Sequence, residues 1–207
     1  MAGGIAVDLW STVYFLKAVD PVAEGAGITL RDMSGQAIGP NLSTSDWCEA
    51  AIEGSVVVAG HVYNYAGAAG PESTVCGSRE VMRKATLVRW KVSAHPFGEG
   101  SRGNALIPFK TVACDMKNPW LPDPAGARPA RFGERIFVPA ARGVVLPDGS
   151  LHDGIFTCGD VGGAINGNHV DIFVGAVNGG DREALQINPF SFVGNRPDKT
   201  YPAFVLN

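Results

Sequence analysis

The 207-residue chain is 45% apolar and 18% charged, a balance that supports a well-cored globular domain and excludes a disordered segment. Its net charge of −3, with no stripe of clustered Lys and Arg, argues against a nucleic-acid partner. No apolar run approaches the roughly 20 residues that span a bilayer.

Glycine (27) and proline (14) are abundant and long helical patterns are few, which predicts many short strands joined by turns. The N-terminal stretch MAGGIAVDLWSTVYFLKA lacks the basic start and long apolar run of a secretory signal. A cytoplasmic location therefore stays open beside one in which a signal has been removed. The four cysteines, Cys48, Cys76, Cys114 and Cys158, form no CxxC and have no paired histidines, so no metal site is expected. They read as small buried apolar side chains, with room for one disulfide whose partners the spacing does not assign.

In chain order, residues 1–42 are mixed, with turn signals at DMSGQAIGPN. LSTSDWCEAAIEG carries a helix start, with Ser43 or Ser45 to cap it, acidic residues in the first turn and Gly54 to end it. Strand patterns follow at SVVVAGHVYNYAG and at ATLVRWKVSAH, where Leu87, Arg89 and Lys91 alternate with Val88, Trp90 and Val92. NALIPFKTVACD reads as a strand with Pro108 at an edge or bulge. NPWLPDPAGARPARFG, with four prolines, reads as a surface loop. ERIFVPA, GVVLPDG, DGIFTCGD and NHVDIFVGAV read as further strands, and the aromatic, proline-broken C-terminus as a wrap around the domain. Short strands at this spacing suggest a barrel or a sandwich.

One stretch carries chemistry. In GDVGGAINGNHVDIF, Asp160 ends one strand and Asp171 sits on the next, eleven residues later, across a glycine-rich turn. If Val170 and Ile172 face the core, alternation turns Asp171 to the opposite face. The turn can then bring both carboxylates to one region, and paired carboxylates on a glycine-lined surface suit glycosidic-bond chemistry. Aspartate before glycine is also a common turn residue, so Asp160 has a purely local alternative. His169, two residues before Asp171, shares its face. A single DVGG copy leaves an aspartic-protease arrangement without its second half.

This stretch resembles the signature of the 3D domain, found in the lytic transglycosylase A family and in bacterial wall-remodelling proteins. The family pattern runs roughly D-T-G-G-A-I-K-G-N-x-x-D-x-[FY]. Asp160, Gly162, Gly163, Ala164, Ile165, Gly167, Asn168, Asp171 and Phe173 fit it, while Val161 and Asn166 depart. The first family aspartate corresponds to Asp115, in a motif interrupted by the proline-rich insertion, with Met116 in place of proline.

The resemblance implies a mainly β chain: a six-stranded double-psi β-barrel with an N-terminal extension containing a short helix. Residues 1–54 are expected as that extension, packed on the barrel, and residues 55–207 as the barrel with its C-terminal wrap. The chain looks too short for the second domain that forms the far groove wall in the transglycosylases. The resemblance also implies a polysaccharide substrate and cleavage of β-1,4 bonds in peptidoglycan without water or cofactor. Asp171 would be the acid/base, with Asp160 and Asp115 in support. Gly162, Gly163, Asn168, His169, Tyr63 and Trp120 are expected to contact sugar. A wall-directed enzyme is expected outside the cytoplasm. The alternatives are a hydrolase acting on another β-linked polysaccharide, and a non-catalytic carbohydrate-binding or wall-loosening barrel. Nothing in the sequence specifies the oligomeric state.

Overall fold

A computed structural model describes residues 4–120, 127–178 and 180–206. The chain divides into two compact units: residues 1–14, 100–175 and 181–207 in the first, and residues 15–99 and 176–180 in the second. The boundary expected between residues 54 and 55 therefore falls inside the second unit, and the N-terminal strand belongs partly to each. No helix among the described residues is long and apolar enough to cross a membrane.

The first unit is built on strands β1 (Ile5–Val19, through residue 14), β7 (Thr111–Cys114), β8 (Arg135–Phe137), β9 (Ile155–Asp160), β10 (His169–Val177, through residue 175) and β11 (Tyr201–Leu206). Their order in the sheet is β10-β7-β9-β8-β11-β1, and β10 also pairs with β1. Alternation along these strands sends Leu9, Val112, Ile136, Phe156, Val170 and Ile172 inward, where all are buried. The space they leave between them is only about 10 Å³. Cys114 and Cys158, on neighbouring strands and equally buried, form a disulfide with Cα atoms 5.6 Å apart. The C-terminal segment is more than a wrap. It forms α3 (Asp181–Ile187) and then β11, which lies between β8 and β1.

Two expected strands are shorter than their apolar patterns. In NALIPFKTVACD only Thr111–Cys114 is extended. Phe109 sits at φ 61°, with its N–H donating to Phe173 O, and this bends the chain before the strand begins. GVVLPDG forms a turn closed by a single Val145–Leu151 bridge. Within NPWLPDPAGARPARFG, residues 121–126 lie outside the described residues.

The second unit packs α1 (Thr44–Glu53) and α2 (Glu80–Ala85) with β4 (Ser55–Val58), β5 (His61–Ala68) and β6 (Val88–Val92). It also holds the end of β1 and a separate hairpin of β2 (Ile28–Arg31) and β3 (Ala37–Leu42). The helix follows its sequence signals. Ser43 accepts from Asp46 N at 3.1 Å, and Gly54 closes the helix in the left-handed region. SVVVAGHVYNYAG is two strands, because Ala59 and Gly60 at φ 49° and 77° make the two-residue turn of a hairpin in which Val58 faces His61. The core gathers Leu30, Leu42, Trp47, Val56, Tyr63 and Trp90. A second disulfide, Cys48–Cys76, ties α1 to the loop before α2. All four cysteines are thus paired, where the sequence had suggested mainly unpaired apolar roles. Lys17, buried, is neutralised by Glu49 at 2.7 Å.

Candidate active site

Three neighbouring strands of the first unit align the carboxylates. Asp171 on β10 pairs with Ala113 on β7, and Ala113 pairs with Asp160 on β9. Residues paired across a sheet share a face, so Asp171 and Asp160 flank a small alanine on one side of the sheet. Their backbones are roughly 10 Å apart, two strand spacings. Alternation alone gives the wrong face for Asp160: Cys158 points inward, and a regular strand would turn residue 160 inward as well. The pairing skips Gly159 between Val112–Cys158 and Ala113–Asp160. That one-residue bulge turns Asp160 outward. Glycine suits the bulge, since a Cβ there would lie 2.9 Å from the Thr111 methyl.

Asp171 is largely buried between inward-facing Val170 and Ile172. Burial is the main reason its carboxyl is pushed up to about 6. A hydrogen bond from Thr12 Oγ1 (2.7 Å to Oδ1) opposes the shift, and the charges of Asp160 and Asp181 add to it. Asp160 is held from several sides. Tyr14 donates to Oδ2 at 3.2 Å, while Oδ1 accepts from the N–H groups of Ser101 and Val161, each at 2.9 Å, and from the Ser101 hydroxyl.

Asp115 is differently placed. It is 3% exposed, and both its oxygens are occupied by N–H donors from Lys117, Asn118 and Gly167 and by the Asn118 side chain. Burial alone would raise its carboxyl, but these donors outweigh it and hold the group at about 2. Asp115 is a clamp on the glycine turn, its two oxygens taken up by these four N–H donors.

The other expected residues separate into groups. Gly162 and Gly163 lie on the exposed turn after Asp160. At Gly162 a Cβ would lie 2.7 Å from the Ile165 side chain, whereas at Gly163 it would meet nothing within 4 Å. Asn168 donates from Nδ2 to Asp8 O at 2.7 Å, tying the turn to β1. His169 is buried, bonds through Nε2 to Thr12 Oγ1 at 2.8 Å and stacks on Trp10 with ring centres 3.6 Å apart. Tyr63 and Trp120 are corrections. They are 4% and 8% exposed, so their ring faces are spent on protein atoms and not presented for stacking. Tyr63 packs in the core of the second unit with its ring against Gly39. His152, near the Asp160 strand, is a core histidine whose Nε2–H donates to Phe109 O at 2.7 Å while Nδ1 accepts from Gly154 N.

Sequence reasoning missed the contribution of β1. Trp10, Thr12 and Tyr14 alternate along LWSTVY and share one face, meeting His169, Asp171 and Asp160 in turn. The period-two pattern was present in the sequence, but nothing local says which strand it will face. Among the described residues, no cluster of three or more His, Cys, Asp or Glu side chains is arranged to hold a metal ion.

Comparison with known proteins bears on this same segment. The 3D domain family matches residues 129–184, a span that includes Asp160, Asp171 and the glycine turn. This segment is similar to a 3D domain. Two solved structures share its fold. E. coli MltA with bound chitohexaose is 16% identical, with a TM-score of 0.52 over 97% of this chain and 72% of that one. A membrane-bound lytic murein transglycosylase from Agrobacterium tumefaciens is 12% identical, with a TM-score of 0.58 over 99% and 76%. Among curated proteins, none matches. Asp115 and the β1 residues lie outside the matched 3D span, so their placement around its carboxylates is a property of the tertiary fold.

Proposed function

We propose that this chain cleaves the β-1,4 glycosidic bonds of peptidoglycan as a lytic transglycosylase, with Asp171 as the general acid and then the general base. The observation that carries this reading is the Asp171 carboxyl, pushed up to about 6 by burial and lying in one sheet row with Asp160 inside the matched 3D segment. A carboxyl with that proton affinity is available as an acid near neutral pH and, once ionised, as a base. Asp171 protonates the glycosidic oxygen as the bond breaks. It then takes the proton of the sugar's own C6 hydroxyl, whose oxygen closes a 1,6-anhydro ring on the anomeric carbon. One carboxylate returns to its starting state and no water is consumed. Asp160, held by Tyr14, Ser101 and Val161, supplies negative charge to the oxocarbenium-like transition state.

The fold of E. coli MltA, whose structure holds chitohexaose, supports an extended glycan as the substrate. The open turn at Gly162 and Gly163 is the backbone a sugar approaches most closely in this reading. The six strands of the first unit close as a double-psi β-barrel, a reading supported by the pairing of β10 with β1 at the two ends of the strand order. Two disulfides with no free cysteine favour an oxidising location outside the cytoplasm.

The test is mass spectrometry of the soluble products after incubation with purified peptidoglycan. Fragments ending in 1,6-anhydro-N-acetylmuramic acid are expected. Reducing ends would assign the site to a hydrolase instead, and no fragments from peptidoglycan or from a panel of β-linked polysaccharides would favour a binding role.

A further inference from the structure

The reading of Asp171 as acid and base leaves open what governs its proton. Thr12 Oγ1 lies 2.7 Å from Asp171 Oδ1 and 2.8 Å from His169 Nε2. A hydroxyl has one proton to donate and lone pairs with which to accept. It cannot donate to both neighbours at once, so one of them must donate to it. With Asp171 ionised, Thr12 donates to the carboxylate and Nε2 must carry a proton. With Asp171 protonated, its O–H donates to Thr12, Thr12 donates to Nε2, and His169 is neutral. The Ala164 backbone favours the charged form of the ring, which lets His169 take up a second proton.

We propose that Asp171, Thr12 and His169 form a proton relay in which Thr12 and His169 act as positioning residues that load and hold the Asp171 proton. The step balances: the Asp171 proton passes to Thr12 Oγ1 as the Thr12 proton passes to His169 Nε2. Asp171 loses one proton, Thr12 is unchanged and His169 gains one. The reverse movement returns the acid form. The inference rests on the reading of Asp171 as the acid/base, but the relay is a property of the folded chain with or without a substrate.

The surroundings favour both states. Burial pushes Asp171 up to about 6 and draws His169 below its usual value, so the two proton affinities approach one another. Trp10 stacks on the imidazole with an interplanar angle of 6°, and an indole face supports a charged ring as well as a neutral one. The charged groups acting on the carboxyl are Asp160 at the end of β9 and Asp181 at the start of α3, and both favour keeping the proton within the relay.

The test titrates His169 by ¹⁵N NMR and the Asp171 carboxyl by ¹³C NMR from pH 4 to 8 in the parent, Thr12→Val, Thr12→Ser and Asp171→Asn proteins. In the parent, each group should report the titration of the other, as coupled sites do. Thr12→Val should separate the two curves and Thr12→Ser should restore the coupling. Should Thr12→Val fail to fold, Asp171→Asn decides, because loss of the carboxylate should move the His169 midpoint down by about one pH unit or more. Independent single-step curves in the parent, or a His169 titration unmoved by Asp171→Asn, overturn the relay. On peptidoglycan, Thr12→Val should lower kcat roughly tenfold or more, with a displaced acid limb and little change in KM. A parent protein that releases no anhydro fragments defeats the glycan-cleaving reading alone, and the NMR curves still decide the relay.

Discussion

A carboxyl placed between Val170 and Ile172 on a buried strand loses most of its hydration, and at Asp171 that loss holds the proton to about pH 6. The folded chain therefore binds this proton more tightly than the unfolded chain does. Stability associated with this group is complete below the ordinary carboxylate value and falls as pH rises from about 4 to about 6. Asp171→Asn removes the penalty while keeping an oxygen for the Thr12 hydroxyl. Thermal melts should show the variant more stable than the parent by about 1–3 kcal/mol at pH 8, a gain of several degrees, and equal to it at pH 4. Release of anhydro fragments should fall at least about a hundredfold. A variant that is active, or that melts below the parent at pH 8, contradicts the assignment of a buried acid. Asp115 shows the opposite balance. The sequence motif marked it as a third carboxylate for the same groove, but four N–H donors have claimed its oxygens. A motif names the residue, and only the folded turn shows how many donors surround it.

At the scale of elements, the site depends on where glycine interrupts regular structure. The bulge at Gly159 reverses the face on which Asp160 emerges, and Gly167, at φ 59°, lets the returning chain offer its N–H to Asp115. Gly163 differs from both, since it is exposed, has no left-handed backbone requirement and has nothing within 4 Å of where a Cβ would sit. Gly163→Leu should therefore leave the melting temperature within about 1 °C of the parent, because surface changes of this kind cost little. It should raise KM for peptidoglycan by placing a side chain where the glycan backbone is to lie. Gly167→Leu should instead lower the melting temperature by several degrees, because a left-handed leucine costs roughly 1–2 kcal/mol. Equal effects of the two substitutions on melting, or an unchanged KM for Gly163→Leu, would remove the turn from the substrate surface. The glycines were legible as a turn in the sequence. Their separate tasks were not, because a bulge and a clamp are relations with β7 and Asp115.

For the whole molecule, each unit has its own core and its own disulfide. Cys114 and Cys158 are 1% and 0% exposed on adjacent strands, one residue and two residues from Asp115 and Asp160 respectively. Cys76 is only partly buried, on a loop. Thiolate attack requires access, so mild reductant should open Cys48–Cys76 in the native protein, while Cys114–Cys158 should require unfolding. Alkylation followed by peptide mass spectrometry reads the order, and early loss of Cys114–Cys158 would contradict the packing described. Replacing Cys114 and Cys158 together by serine should lower the melting temperature by roughly 10 °C, the effect of about 2–4 kcal/mol in a chain of this size.

From its sequence alone the chain could be read as mainly β, with a short helix capped by Ser43 or Ser45 and ended by Gly54, and two aspartates in the spacing of a 3D motif. Strand alternation, helix caps and turn glycines act over a few residues, and their signals lie within those few residues. Tertiary structure alone decided the pairing of cysteines 28 and 44 residues apart, which chain segments belong to each of the two units and the burial of Tyr63 and Trp120. It also brought Trp10, Thr12 and Tyr14 against His169, Asp171 and Asp160 across about 150 residues of chain. Such contacts form because strands distant in sequence bury their apolar faces together, and the polar faces that meet as a result are set by the register of that packing.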